Sequence, residues 1–191
     1  MGTWIDYSTR IPMNEENFQK ILEFYLLNCP IKNKKGNSYD DISKRGGQYD
    51  NKCLLTSFTS HVSKQITYPN IYKEVGEISE LEYDKFEEEY EGNDKNFALV
   101  IYKEKSGFSK GRSILYSIRC ALAHGSFEVF KDSNGRNVYK FENNYKGKIT
   151  ARIRLRESEL IEWMEFIKNY SPTSRKKKQL KRGKQKMLAT T

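Results

Sequence analysis

Apolar residues recur at three- and four-residue steps in several stretches of this chain and at alternate positions in others, so its elements can be placed before any composition is considered. Phe18, Ile21, Leu22, Tyr25 and Leu26 share one helix face, and Asn14 ahead of Glu15 and Glu16 supplies a capping side chain and negative charge at the helix start. A first helix is predicted over about 14–28, ended by Pro30. The segment from Lys32 to Asn51, with Gly36, Gly46 and Gly47, has no period and reads as a long loop. Cys53, Leu54, Leu55, Phe58, Val62 and Ile66 mark a second helix over about 51–66. Ser79 to Glu82 fits a capping box ahead of Leu81, Tyr83, Phe86 and Tyr90, which predicts an acidic, exposed third helix.

Phe97 to Tyr102 (FALVIY) is a short apolar run that fits a buried helical turn or a strand, and periodicity does not choose between them. From Lys110 a helix carries Ile114, Leu115, Ile118 and Leu122 inward and stops at Gly125, a residue suited to the left-handed position past a helix end. Ser126–Lys131 and Val138–Phe141 flank Asn134-Gly135, a hairpin signal, and Ile149, Ala151, Ile153 and Leu155 alternate as a third strand. Leu160, Ile161, Met164 and Ile167 form a last helix ending near Tyr170. The expected fold class is mainly α, with a small antiparallel β insert at about 126–156 before the last helix.

A length of 191 residues supports one folding unit, placed at 1–170. Mean hydropathy is −0.83, yet aromatics reach 13%, too many for a chain unable to bury a core. The net charge is +9, and residues 171–191 hold eight basic residues and no acid. The body is therefore close to neutral and the polyanion-seeking charge sits in a tail expected to be flexible. With no run of about 18 apolar residues and no leader pattern in residues 1–10, a soluble, cytoplasmic location and no membrane partner are expected. Cys29, Cys53 and Cys120 are isolated from one another, and His61 and His124 are the only histidines. Neither a disulfide framework nor a zinc module is expected, and no metal or other cofactor is called for.

The chemistry concentrates in Ser117–Phe127, S-I-R-C-A-L-A-H-G-S-F. Ser113, Ser117, Cys120 and His124 share a narrow arc of small side chains, on which a second helix can approach closely, as in a homodimer. Arg119 lies five residues before His124, about 140° around the helix, so the two converge only by unwinding at Gly125, by the reach of the arginine, or across a two-fold axis.

R-x-x-x-x-H at the end of a helix, here Arg119 to His124 followed by Gly125-Ser126-Phe127-Glu128, resembles the signature of the HEPN superfamily, and R-x-A-L-A-H-G-S-F-E is similar to its small stand-alone plasmid and prophage branch. The resemblance implies a bundle of four or five helices, dimerisation that juxtaposes two motifs, and metal-independent endoribonuclease activity in toxin or anti-phage defence systems. It carries Arg119 and His124 over as catalytic positions. Cys120 stands where the superfamily often has a polar Asn, Asp or His.

The chemistry is consistent with that implication. RNA carries its own nucleophile, the 2′-hydroxyl, so scission needs a base, an acid and a cation where charge builds on phosphorus. Imidazole titrates near neutrality and guanidinium forks onto two phosphate oxygens. A dimer supplies two copies of His124, and the expected products carry 2′,3′-cyclic phosphate and 5′-hydroxyl ends. Lys110, Arg112, Tyr116 and Cys120 are the expected substrate contacts, with an antitoxin or defence-system protein as a possible further partner. The competing reading is a non-catalytic RNA-binding or protein-interaction module. Structural roles compete at single residues too: His124 as a helix cap, Arg119 as an ion-pair partner of an acid such as Glu128, and His61 as a packing residue. Gly107 to Ser113 is one residue short of a phosphate loop and has Arg112 at the usual lysine, which argues against an NTPase.

Overall fold

The computed structural model describes residues 15–31, 51–67, 69–81, 86, 95–102 and 109–171. The basic tail, most of the 32–51 loop, Gly107 and most of the third predicted helix lie outside them. The first helix begins as α1 (Glu15–Leu22) and widens into a π-helical turn, Glu23–Asn28, which Asn28 closes by donating from Nδ2 to the Glu23 carbonyl at 3.1 Å. α2 (Asn51–Gln65), α3 (Lys110–Ala123) and α4 (Glu157–Lys168) follow. Their apolar stripes meet in one core: Ile21, Phe24 and Tyr25 with Leu54, Phe58 and Val62, then Ile114, Leu115, Ile118 and Leu122, and then Leu160, Trp163, Met164 and Ile167.

The mainly-α bundle expected from the sequence is corrected by a five-stranded mixed sheet. Its strands are β1 (Ile71–Val75), β2 (Phe97–Tyr102), β3 (Phe127–Lys131), β4 (Asn137–Tyr145) and β5 (Lys148–Arg156). They lie in the order β1-β2-β5-β4-β3, with β1 parallel to β2 and every other pair antiparallel. The three strands of the expected insert therefore form one end of a sheet that continues into two earlier segments. The physical reason is burial: Phe97, Leu99 and Ile101 face the helices, while Ala98 and Val100 face a second cluster with Val75, Leu81 and Phe86. A strand covered on both sides shows a continuous apolar run and no alternation, which is why FALVIY gave no period.

Where a third helix was expected, the described residues open as a 3-10 turn, Ile78–Leu81, whose leading amides at Gly76 and Glu77 donate to the Glu80 carboxylate, both at 3.2 Å. Asn134-Gly135 does turn a hairpin. Gly135 has φ 72° and its amide donates to the Asp132 carbonyl at 2.9 Å, while the Asp132 carboxylate takes the amides of Asn134 and Arg136 and the Arg136 guanidinium. Glu157, at the start of α4, ties layers together by accepting from Asn17, Asn137 and Tyr139. Among the described residues no helix is long and apolar enough to cross a membrane.

Candidate functional site

α3 positions the motif, and both of its ends are fixed. At its start Ser109 accepts from the Arg112 amide at 3.4 Å. Gly111 faces α2, where a β-carbon would meet Thr59 Oγ1 at 2.7 Å and Phe58 at 2.9 Å, and its own amide donates to Thr59 at 3.0 Å. The glycine that gave this segment its phosphate-loop look thus serves helix packing.

At the other end the Ser126 amide donates to the Ala121 carbonyl at 2.8 Å and the Gly125 amide to Leu122 at 3.2 Å, with Gly125 at φ 66°. This paired pattern with a left-handed glycine is a Schellman cap. His124 is its cap residue, with its backbone amide bonded to Cys120 and its side chain exposed. The imidazole therefore projects to solvent from a rigid backbone.

Arg119 is half-buried, and among the described residues its hydrogen-bond partner is a backbone carbonyl and not an acid. It donates through Nη1 to the Ile31 carbonyl at 3.2 Å. That carbonyl is aimed by the chain leaving the π-turn, where the Ile31 amide bonds the Cys29 carbonyl at 2.7 Å across Pro30. Cys29 and Ile31 are both buried and were not singled out from the sequence, since nothing local marks a carbonyl that meets a side chain 88 positions away.

Thiols border the guanidinium. Burial pushes Cys29 up to about 12, against the lowering effect of Arg119, and with a further upward push from Cys120. Burial also raises Cys120, partly offset by a hydrogen bond from Tyr116 and by Arg119. Arg119, Cys120 and Tyr116 are thus gathered beside the exit of the π-turn, and both thiols are held protonated at neutral pH.

Lys110 and Arg112 are not part of this cluster. They lie in the first turn of the helix, fourteen and twelve positions before His124, roughly 21 and 18 Å along its axis, and the Lys110 ammonium lies 4.3 Å from the Tyr72 ring centroid. Of the arc of small side chains, Ser117 is already buried within the chain. His61 stacks on Phe166 with ring centroids 4.2 Å apart and its Nε2 lies 3.1 Å from Glu162, a packing role. Among the described residues no group of three or more His, Cys, Asp or Glu is placed to hold a metal ion.

A motif helix with a fixed cap, an exposed imidazole and an anchored guanidinium can be compared with known proteins. Residues 8–178 match the family described as HEPN pEK499 p136. The chain belongs to this HEPN family. The match spans all the helices and strands above, including the mixed sheet, so the HEPN assignment stands although a plain bundle does not. No curated protein and no solved structure matches the chain. HEPN membership points to nuclease or RNA-related function, and RNA is the partner class that goes with it.

Proposed function

We propose that this HEPN protein is a homodimeric endoribonuclease that cleaves RNA through Arg119 and His124 without a metal ion, as a cytoplasmic toxin or anti-phage effector under the control of a partner protein. The observation that carries the reading is the presentation of the motif: an exposed imidazole on a rigid helix cap, preceded by a guanidinium held in place by the Ile31 carbonyl. His124 takes the proton from a ribose 2′-hydroxyl, and the freed oxygen attacks phosphorus as the bond to the 5′-oxygen breaks. The partner subunit's His124 protonates that leaving oxygen. Arg119 retains N–H groups beyond the one given to Ile31, and these fork onto the phosphoryl oxygens as charge builds there.

Tyr116 and Cys120, next to Arg119, contact the nucleotides flanking the scissile bond. Lys110 and Arg112, at the far end of α3, hold phosphates several nucleotides away. Incubating RNA with the purified chain in excess chelator tests the reading. Fragments ending in 2′,3′-cyclic phosphate and beginning with 5′-hydroxyl support it, and intact RNA, or 3′-hydroxyl with 5′-phosphate ends, contradicts it.

One observation favours a second reading, a non-catalytic RNA-binding or interaction module: an Arg119 nitrogen is already engaged by protein. On that reading RNA is retained and never cut.

A further inference from the structure

The β4–β5 hairpin ends in a feature the motif does not use. Its strands meet at Tyr145↔Lys148, and the two residues between them, Lys146 and Gly147, have φ 53° and 75°. Two left-handed residues in succession make the tight turn whose twist suits a hairpin, and its first position is normally Asn, Asp or Gly. Among the described residues Lys146 is the one non-glycine with positive φ. A lysine there carries strain that a glycine would not. Two residues inward the register slips between Asn143 and Asn144, leaving Thr150 as the extra residue, and the Thr150 hydroxyl is locked to Asn143, accepting from its Nδ2 at 2.9 Å and bonding its carbonyl at 3.2 Å. Such a bulge bends and re-aims the strand beyond it.

What the bent tip presents is an exposed aromatic ring with one lysine over it and a second lysine at the register position paired with it. Tyr145 is 53% exposed, and Lys146 Nζ lies 5.5 Å from its ring centroid. Lys148 is exposed, and neither lysine makes an ion pair among the described residues. Residues 143–148 contain no carboxylate. Beside the turn lies a cleft of about 530 Å³, bounded by Ile78, Ser79, Gly147, Lys148 and Arg152. Arg152 is fixed there by Glu142 at 2.5 Å and the Leu81 carbonyl at 2.6 Å, so its charge is matched and the open positive charge belongs to Lys148.

We propose that this hairpin tip is a docking point for single-stranded RNA, distinct from the Arg119–His124 segment. The Tyr145 ring stacks on one base, Lys146 and Lys148 hold the phosphates on either side, and the cleft beside Lys148 receives the next nucleotide. The proposal rests on the RNA reading above. A protein partner fits less well, because one tyrosine and two lysines fall far short of the roughly 1,000 Å² a specific protein interface buries. Base–aromatic stacking flanked by cations needs only this much surface.

The test is anisotropy of a fluorescent single-stranded oligouridine with the full-length chain in chelator, set beside a duplex of equal length. Tyr145→Ala is expected to weaken single-strand binding about tenfold, Tyr145→Phe to leave it unchanged, and the duplex to bind more weakly than the single strand. Lys146→Gly with Lys148→Ser should flatten the log–log salt slope by about 1.4, from two lost phosphate contacts. Lys146→Gly alone should weaken binding while raising Tm, because it removes the strain together with the charge. Undiminished binding by the Tyr145 and lysine variants overturns the docking point and leaves the RNA reading standing. No RNA binding by the unaltered chain overturns both.

Discussion

Arg119 donates to the backbone carbonyl of Ile31 at 3.2 Å, tying the motif helix to the chain just beyond the π-turn. The bond uses one end of a planar fork and, among the described residues, leaves the other unengaged, which lysine, with a compact ammonium, does not reproduce. Arg119→Lys is therefore expected to lower RNA scission at least tenfold with the fold intact, and Arg119→Ala to lower it by a further order of magnitude. Arg119→Ala also leaves the Ile31 carbonyl without this partner, at a cost of about 1–3 kcal/mol. Cleavage rates and denaturant midpoints on the same preparations separate the two effects.

Gly111 is expected to tolerate no β-carbon. An alanine there meets the Thr59 hydroxyl, the Phe58 ring and the Leu55 carbonyl within 3.1 Å, and the last of these is backbone. Gly111→Ala should destabilise by about 1–3 kcal/mol through overpacking of α3 on α2. Urea unfolding measures it, and an unchanged midpoint would mean that the helices part without cost.

Asp132 makes the β3–β4 turn sensitive to acid. The Arg136 hydrogen bond, with the amides of Arg136 and Asn134, holds its carboxyl at about 2, below the ordinary 3.8. A depressed folded value means that the folded state binds fewer protons than the unfolded chain, so the stabilisation is complete above about pH 4 and is lost as pH falls toward 2. The Tm difference between the natural chain and Asp132→Asn should be constant from neutral pH down to about 4 and close below it. A difference that is constant down to pH 2 would contradict this.

The two thiols beside Arg119 are expected to be chemically quiet. Burial holds Cys29 near 12 and raises Cys120, so neither is a thiolate at neutral pH. Iodoacetamide should modify Cys29 only on unfolding, and Cys120→Ala should retain scission within about tenfold. Loss of activity equal to that of a catalytic deletion would recast Cys120 as a reacting group.

Much of this architecture is written locally in the chain. The inward faces of the helices, the three strands after Gly125 and the glycine cap of the motif helix all depend on neighbours within a few positions, and such neighbours leave a period or a turn residue behind. The wider sheet does not. β1 is five residues of mixed polarity, Ile-Tyr-Lys-Glu-Val, and its parallel pairing with β2 is made across more than twenty intervening residues. β2 is buried on both faces and therefore shows no alternation. β5 hides Arg152, Arg154 and Arg156 on the face away from the helices, so half of a buried strand reads as solvent-exposed. At the site, the arginine and histidine were legible as a motif, whereas the Ile31 carbonyl that anchors the guanidinium carries no side-chain signature.

The most direct measurement is the rate of RNA scission, in excess chelator, by the purified chain beside His124→Ala, with circular dichroism and oligomeric state recorded for both. The account predicts that the natural chain cuts and that His124→Ala loses about 10²–10⁴-fold in rate while keeping its fold and its dimer. Equal rates in the two proteins, or a natural chain that leaves RNA intact, would contradict it.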